Sequence, residues 1–99
     1  MDRPTINING QEIILPEVKA RVWREIMQFE SVRKDIKSVD AIDKYCAVIA
    51  MAFGVTADEV LDNLDIADVL PTYFATLNCV VAMLTEKLSK KKAEEPPQP

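Results

Sequence analysis

Apolar and polar residues alternate at the start of the chain, in Thr5-Ile6-Asn7-Ile8 and again over residues 11–15. Between the two runs stands Asn9-Gly10, a pair that supplies both positive-φ residues of a type I′ turn. A β-hairpin is therefore predicted over residues 4–15. Ile6 and Ile8 point to one face, and Ile13 and Leu15 can match them across the pair. A lone hairpin is marginal in water, so this one must pack on the helices or be extended by another strand. Pro4 blunts one end.

From Pro16, a favoured opening residue for a helix, the period lengthens. Val18, Val22, Ile26 and Phe29 share one stripe, with Trp23 and Met27 beside it, while Arg21, Arg24, Glu25 and Gln28 take the other side. The spacing predicts a helix over about residues 16–36. A second is predicted over 40–53, with Asp40 as its N-cap. Ile42, Tyr45, Cys46, Ile49 and Phe53 form one of its faces, and Val48, Met51 and Ala52 make the opposite side apolar too, which marks a central helix. Gly54 ends it as a C′ residue. Thr56-Ala57-Asp58-Glu59 matches the capping box of a short helix over 56–64.

A last helix is predicted over about 66–90, with Asp65 as a cap and Pro71 either opening or kinking it. It carries Leu70, Phe74, Leu77, Val81, Leu84 and Leu88 at 4-3-4-3-4 spacing, a heptad-like stripe. Six residues cover little more than two heptads, which favours an internal core stripe over a zipper. The expected fold is mainly α: an N-terminal hairpin, then a compact bundle of about four helices, in one domain over residues 1–88. Residues 89–99, with Lys90-Lys91-Lys92, two glutamates and three prolines, cannot bury apolar area and are expected to be a disordered charged tail.

Composition narrows the chemistry. The 99 residues leave room for one domain, and 48% apolar with 28% charged is a globular balance. The net charge of −4 argues against nucleic-acid binding, which needs a basic footprint. A helix-turn-helix reading of residues 40–64 would set Asp58 and Asp62 against phosphate with the wrong sign. The chain has no histidine, so the usual base near neutral pH is missing. Its two glycines, Gly10 and Gly54, make no phosphate loop. Asp58, Glu59, Asp62, Asp65 and Asp68 have the spacing of helix caps and first turns and do not fit a calcium loop. Cys46 and Cys79 lie in apolar runs and read as core, and a zinc site would need at least two carboxylates beside both. No catalytic activity, cofactor or metal is expected. No apolar run approaches the ~18–20 residues of a membrane span, and no signal core opens the chain, so the expected location is cytoplasmic with no membrane contact.

What remains is protein binding. Trp23, Phe29, Tyr73 and Phe74 are the candidate contact residues. Trp23 suits a core anchor as well as an interface hot spot. Of Tyr73 and Phe74, one ring should face inward and the other a partner.

Three stretches then carry a resemblance. "TINING-QEIILP" runs straight into "ARVWREIMQFE"; "MAFGVTADEVLDNLDIADVLPTYF" comes next; a final helix leads to a charged, proline-containing tail. Together they resemble the tail assembly chaperones of long-tailed, siphovirus-type bacteriophages and prophages. The resemblance implies binding to the tape measure protein, a long and largely helical chain. It further implies recruitment of tail tube protein around that chain, in the cytoplasm of the bacterial host, and absence from the finished virion. Self-association is expected as well. Many such families make a longer product by programmed frameshifting, and Lys90, Lys91 and Lys92 sit where a slippery run of lysine codons would be expected. The alternative is a small regulatory adaptor, antitoxin-like or anti-repressor, that binds one folded partner.

Overall fold

Asn9 and Gly10 take φ values of 53° and 82°, so the chain reverses within two residues as a type I′ turn requires. In the computed structural model, which describes residues 3–35 and 38–94 with side chains as far as Glu86, strands β1 (Thr5–Ile8) and β2 (Gln11–Ile14) pair antiparallel, with Ile6 opposite Ile13 and Ile8 opposite Gln11. The Leu15 amide donates to the Pro4 carbonyl at 3.0 Å and extends the pairing by one step. Ile6, Ile8 and Leu15 are buried and Ile13 is half-buried against the same core as the helices. Ile14, on the other face, is exposed. The Asn9 amide also donates to Asn63 Oδ1 at 2.8 Å, tying the turn to the helical body.

Helix α1 (Ala20–Val32) starts four residues later than Pro16 suggests. The cause lies in Arg3. Its guanidinium donates to the Leu15 carbonyl at 3.2 Å and pairs with Glu17 at 3.0 Å, which holds the chain extended past the strand. Val22, Ile26 and Phe29 are buried as the stripe predicts, Val18 and Trp23 are half-buried, and Met27 is exposed. A single 3-10 turn, Arg33–Asp35, comes after it. The rest of the expected helix, Ile36, lies outside the described residues.

Helix α2 (Ser38–Phe53) begins two residues before the expected start, so Asp40 sits in its first turn rather than at its cap. An acid there still complements the helix dipole. Tyr45, Cys46, Val48, Ile49, Ala50, Ala52 and Phe53 are buried, making α2 the central element. It packs against α1, against helix α3 (Ala57–Asn63) and against helix α4 (Ile66–Glu94). Gly54, at φ 76°, turns the chain after α2. The Gly54 and Val55 amides both donate to the Ala50 carbonyl, at 2.9 and 3.0 Å, satisfying a helix-end acceptor. The capping box of α3 is complete: Thr56 Oγ1 accepts from the Glu59 amide at 3.1 Å, and Glu59 Oε1 accepts from the Thr56 amide at 3.0 Å.

Pro71 lies inside α4 without ending it. Its missing N–H deprives the Ala67 carbonyl of a donor, and Ala67 is exposed, so water can serve instead. The helix also continues through Lys90, Lys91 and Lys92 to Glu94. The rest of the expected tail, residues 95–99, lies outside the described residues. The stretch Ile66–Glu86 has a mean hydropathy of 1.4 and the length of a membrane span, although polar residues interrupt its apolar runs in the sequence. A core helix of a globular domain meets the same measure, and one face of this helix is packed on α2.

Candidate protein-binding surface

Helix α4 carries two rows of the same 4-3-4-3 period, one residue apart. The row Val69, Tyr73, Thr76, Val80, Met83 is buried. The row Leu70, Phe74, Leu77, Val81, Leu84 is not: Leu70 is 46% exposed, Phe74 37%, Val81 41% and Leu84 39%, with only Leu77 half-buried. The heptad-like stripe expected in the core therefore lies about 100° around the helix from it. The inner row succeeds because its polar members are satisfied. Thr76 Oγ1 donates to the Thr72 carbonyl at 2.8 Å, one turn back, and the Tyr73 hydroxyl donates to Glu30 Oε2 at 2.6 Å.

Apolar depressions adjoin both ends of the outer row. At Leu70 a hollow of about 320 Å³ is lined by Ile42, Tyr45, Cys46, Leu61, Leu64, Ile66 and Val69. Ile66, at 84%, is the most exposed large apolar residue here, and Ile42 and Leu61 are open as well. At Leu84 a second hollow, of about 200 Å³, is lined by Val18, Ala20, Trp23, Val80 and Met83 together with Glu17 and Lys19. Leu70 and Leu84 are fourteen residues apart, so the strip between the hollows is about 21 Å long at 1.5 Å per helical residue.

The four candidate contact residues separate. Phe29 and Tyr73 are buried in the core. Phe29, Tyr45 and Tyr73 form a mutual edge-to-face cluster with ring centroids 4.8–5.5 Å apart, an arrangement that adds to simple burial. Trp23 is half-buried on the wall of the second hollow. Phe74 is on the outer row, with the Arg33 guanidinium 5.4 Å from its ring centroid. Lys90, Lys91 and Lys92 lie on the backbone of α4, beyond the described side chains. Sequence reasoning missed Leu70, Val81 and Leu84 as surface groups, and Ile42, Leu61 and Ile66 with them. The signal was present as two equivalent periods on one helix, and the leucine-rich one is not the core.

One polar network holds the rim. Glu30 accepts from Tyr73 and pairs with Arg33, whose Nε lies 2.8 Å from Glu30 Oε2. That Nε makes no hydrogen bond of good geometry, so it is held by charge. Burial, and then the bond to Glu30, push the Tyr73 hydroxyl well above the ordinary tyrosine range. Contacts with Tyr45 and then Glu30 hold Arg33 further in its charged form. Burial, and then the nearby Asp43, raise the Cys46 thiol, which lowers its thiolate fraction. Both cysteines are buried thiols outside any disulfide. Among the described residues no three His, Cys, Asp or Glu side chains group as a metal site.

No protein-family profile matches the chain, and no curated protein or solved structure is similar to it.

Proposed function

We propose that this chain is a tail assembly chaperone of a long-tailed bacteriophage or prophage, acting by binding and without a catalytic step. It holds the helical tape measure protein in solution in the cytoplasm of the bacterial host, helps recruit tail tube subunits around it, and leaves before the virion is complete. The observation that supports this most is the outer row of α4. Apolar side chains at heptad spacing suit a helix laid alongside, and a client that is one long helical chain offers many such segments.

Magnitudes favour a holdase over a tight one-site binder. Covering a large apolar side chain that is already more than half buried contributes about 1 kcal/mol, so the five residues of the row contribute about 5 kcal/mol in all. Association costs about 4–15 kcal/mol. The row alone therefore grips weakly, and the hollows at Leu70 and Leu84 must contribute. Several copies along one client compensate for weak single contacts through effective concentration.

The test is solubility on co-expression with the tape-measure-type chain from the same genome. A client that is insoluble alone and soluble with this chain supports the proposal. A client that stays insoluble overturns it, and a tight one-to-one complex with an unrelated folded protein favours a regulatory adaptor.

A further inference from the structure

We propose that the helix laid along the outer row of α4 is a basic amphipathic one, seated with its lysines or arginines around the hollow at Leu70 and with the rest of its length running toward Leu84. The inference rests on the reading that this row takes a helix, and names which helix it selects. The hollow, of about 320 Å³, is walled by mainly apolar side chains from α2, α3 and α4. Ile42, Leu61, Ile66 and Leu70 within it are exposed. A large apolar side chain of a partner fits a space of this kind.

Charge says what surrounds that anchor. Residues three or four apart on a helix are surface neighbours, which sets Asp43 beside Cys46 and Asp58 beside Leu61 at the rim of the hollow. Asp43 is near enough to Cys46 to add to the effect of burial on its thiol. Asp65 sits between two lining residues, Leu64 and Ile66, in the turn from α3 to α4. All three acids are exposed, and none is in an ion pair among the described residues. Asp68, two residues and so about 160° around α4 from Leu70, takes no part. Residues 45–86 contain no lysine or arginine. Lys44 lines a separate hollow with Glu25 and Val32 of α1, and Arg33 is paired with Glu30. A basic segment gains at this rim and an acidic one is repelled, so the rim selects among segments more than it adds grip. The hollow at Leu84 has no such rim: Glu17 and Lys19 line it together, and Glu17 pairs with Arg3. The two ends of the row thus differ in charge, which sets the end of the segment that lies over Leu70.

The test is binding of two synthetic helices to the full chain, followed by fluorescence anisotropy. Both are about 15 residues long, enough to span the strip, and share one apolar heptad stripe. One carries lysines, the other glutamates, around the apolar residue nearest one end. The expected result is about ten-fold tighter binding of the lysine helix at low salt, from exposed pairs to the three acids, with the difference shrinking as salt is added. Asp43→Asn/Asp58→Asn/Asp65→Asn, in which asparagine keeps the shape of each acid and can still cap, should bind both helices alike. Asp43→Lys alone is the second variant, should the triple one lose helix content by circular dichroism, and it should cut the preference several-fold. Trp23, the only tryptophan of the chain, stands at the Leu84 end of the row. A nitroxide on the far end of the lysine helix should quench its fluorescence, and one on the lysine end should not. Equal affinities overturn the proposal, as does a preference that survives the neutral triple variant, or quenching from the lysine end. Binding of neither helix overturns it too, and the solubility of the co-expressed client then judges the client reading by itself.

Discussion

Tyr73 and Phe74 pack edge to face with ring centroids 5.4 Å apart, yet they meet opposite surroundings. Tyr73 is sealed inside the domain and Phe74 is open on the surface beneath Arg33. This one-residue step divides α4 into an inner row that is buried and an outer row that is largely exposed.

Met83 and Leu84 should separate those two roles. Met83 is buried and Leu84 is 39% exposed. Met83→Ala should cost about 2–5 kcal/mol, the usual range for a large-to-small core change, whereas Leu84→Ala should cost less than about 1 kcal/mol. Urea unfolding of the two variants measures both. Equal losses would mean that the outer row is part of the core.

Tyr73 also predicts an alkaline weakness. Its folded-state pKa is raised, so the native state keeps the hydroxyl proton after the unfolded chain has released it. The associated stability is complete below about pH 10, the ordinary tyrosine value, and is lost as pH rises further. Tyr73→Phe should cost about 2 kcal/mol at neutral pH through the lost bond to Glu30. It should also flatten the fall in stability above about pH 10. Melting temperatures from neutral to strongly alkaline pH check both parts.

The short helix α3 depends on its cap. Thr56→Ala removes both the acceptor for the Glu59 amide and the reciprocal hydroxyl contact with Glu59 at 3.1 Å. The expected loss is about 1 kcal/mol, readable by denaturant titration. Because Asn63 of the same helix accepts from the Asn9 amide, faster amide exchange at Asn9 should accompany it.

The legible parts of the sequence are those governed by local chemistry. Asn9-Gly10, Gly54 and the Thr56/Glu59 box each announce a backbone geometry that few other residues adopt, and each appears as expected. The start of α1 was not legible, because Arg3, twelve residues before Leu15, holds the chain extended at Pro16 through a contact that no local pattern encodes. The orientation of α4 was not legible either. Its two heptad rows are equivalent in period, and only the bond from Tyr73 to Glu30 on α1 depends on which row faces inward; the bond from Thr76 lies within α4 and satisfies its hydroxyl on either side. Trp23 and Phe74 could be named from residue type, while Phe29 and Tyr73 show that the same types serve the core.

The binding role of the outer row is tested most directly by the mass of the complex formed when the chain is co-expressed with the tape-measure-type client, wild type beside Val81→Glu/Leu84→Glu. The expected result is several copies per client for the wild type and none for the variant, at an unchanged melting temperature. A variant that loads the client as fully as the wild type does would contradict it.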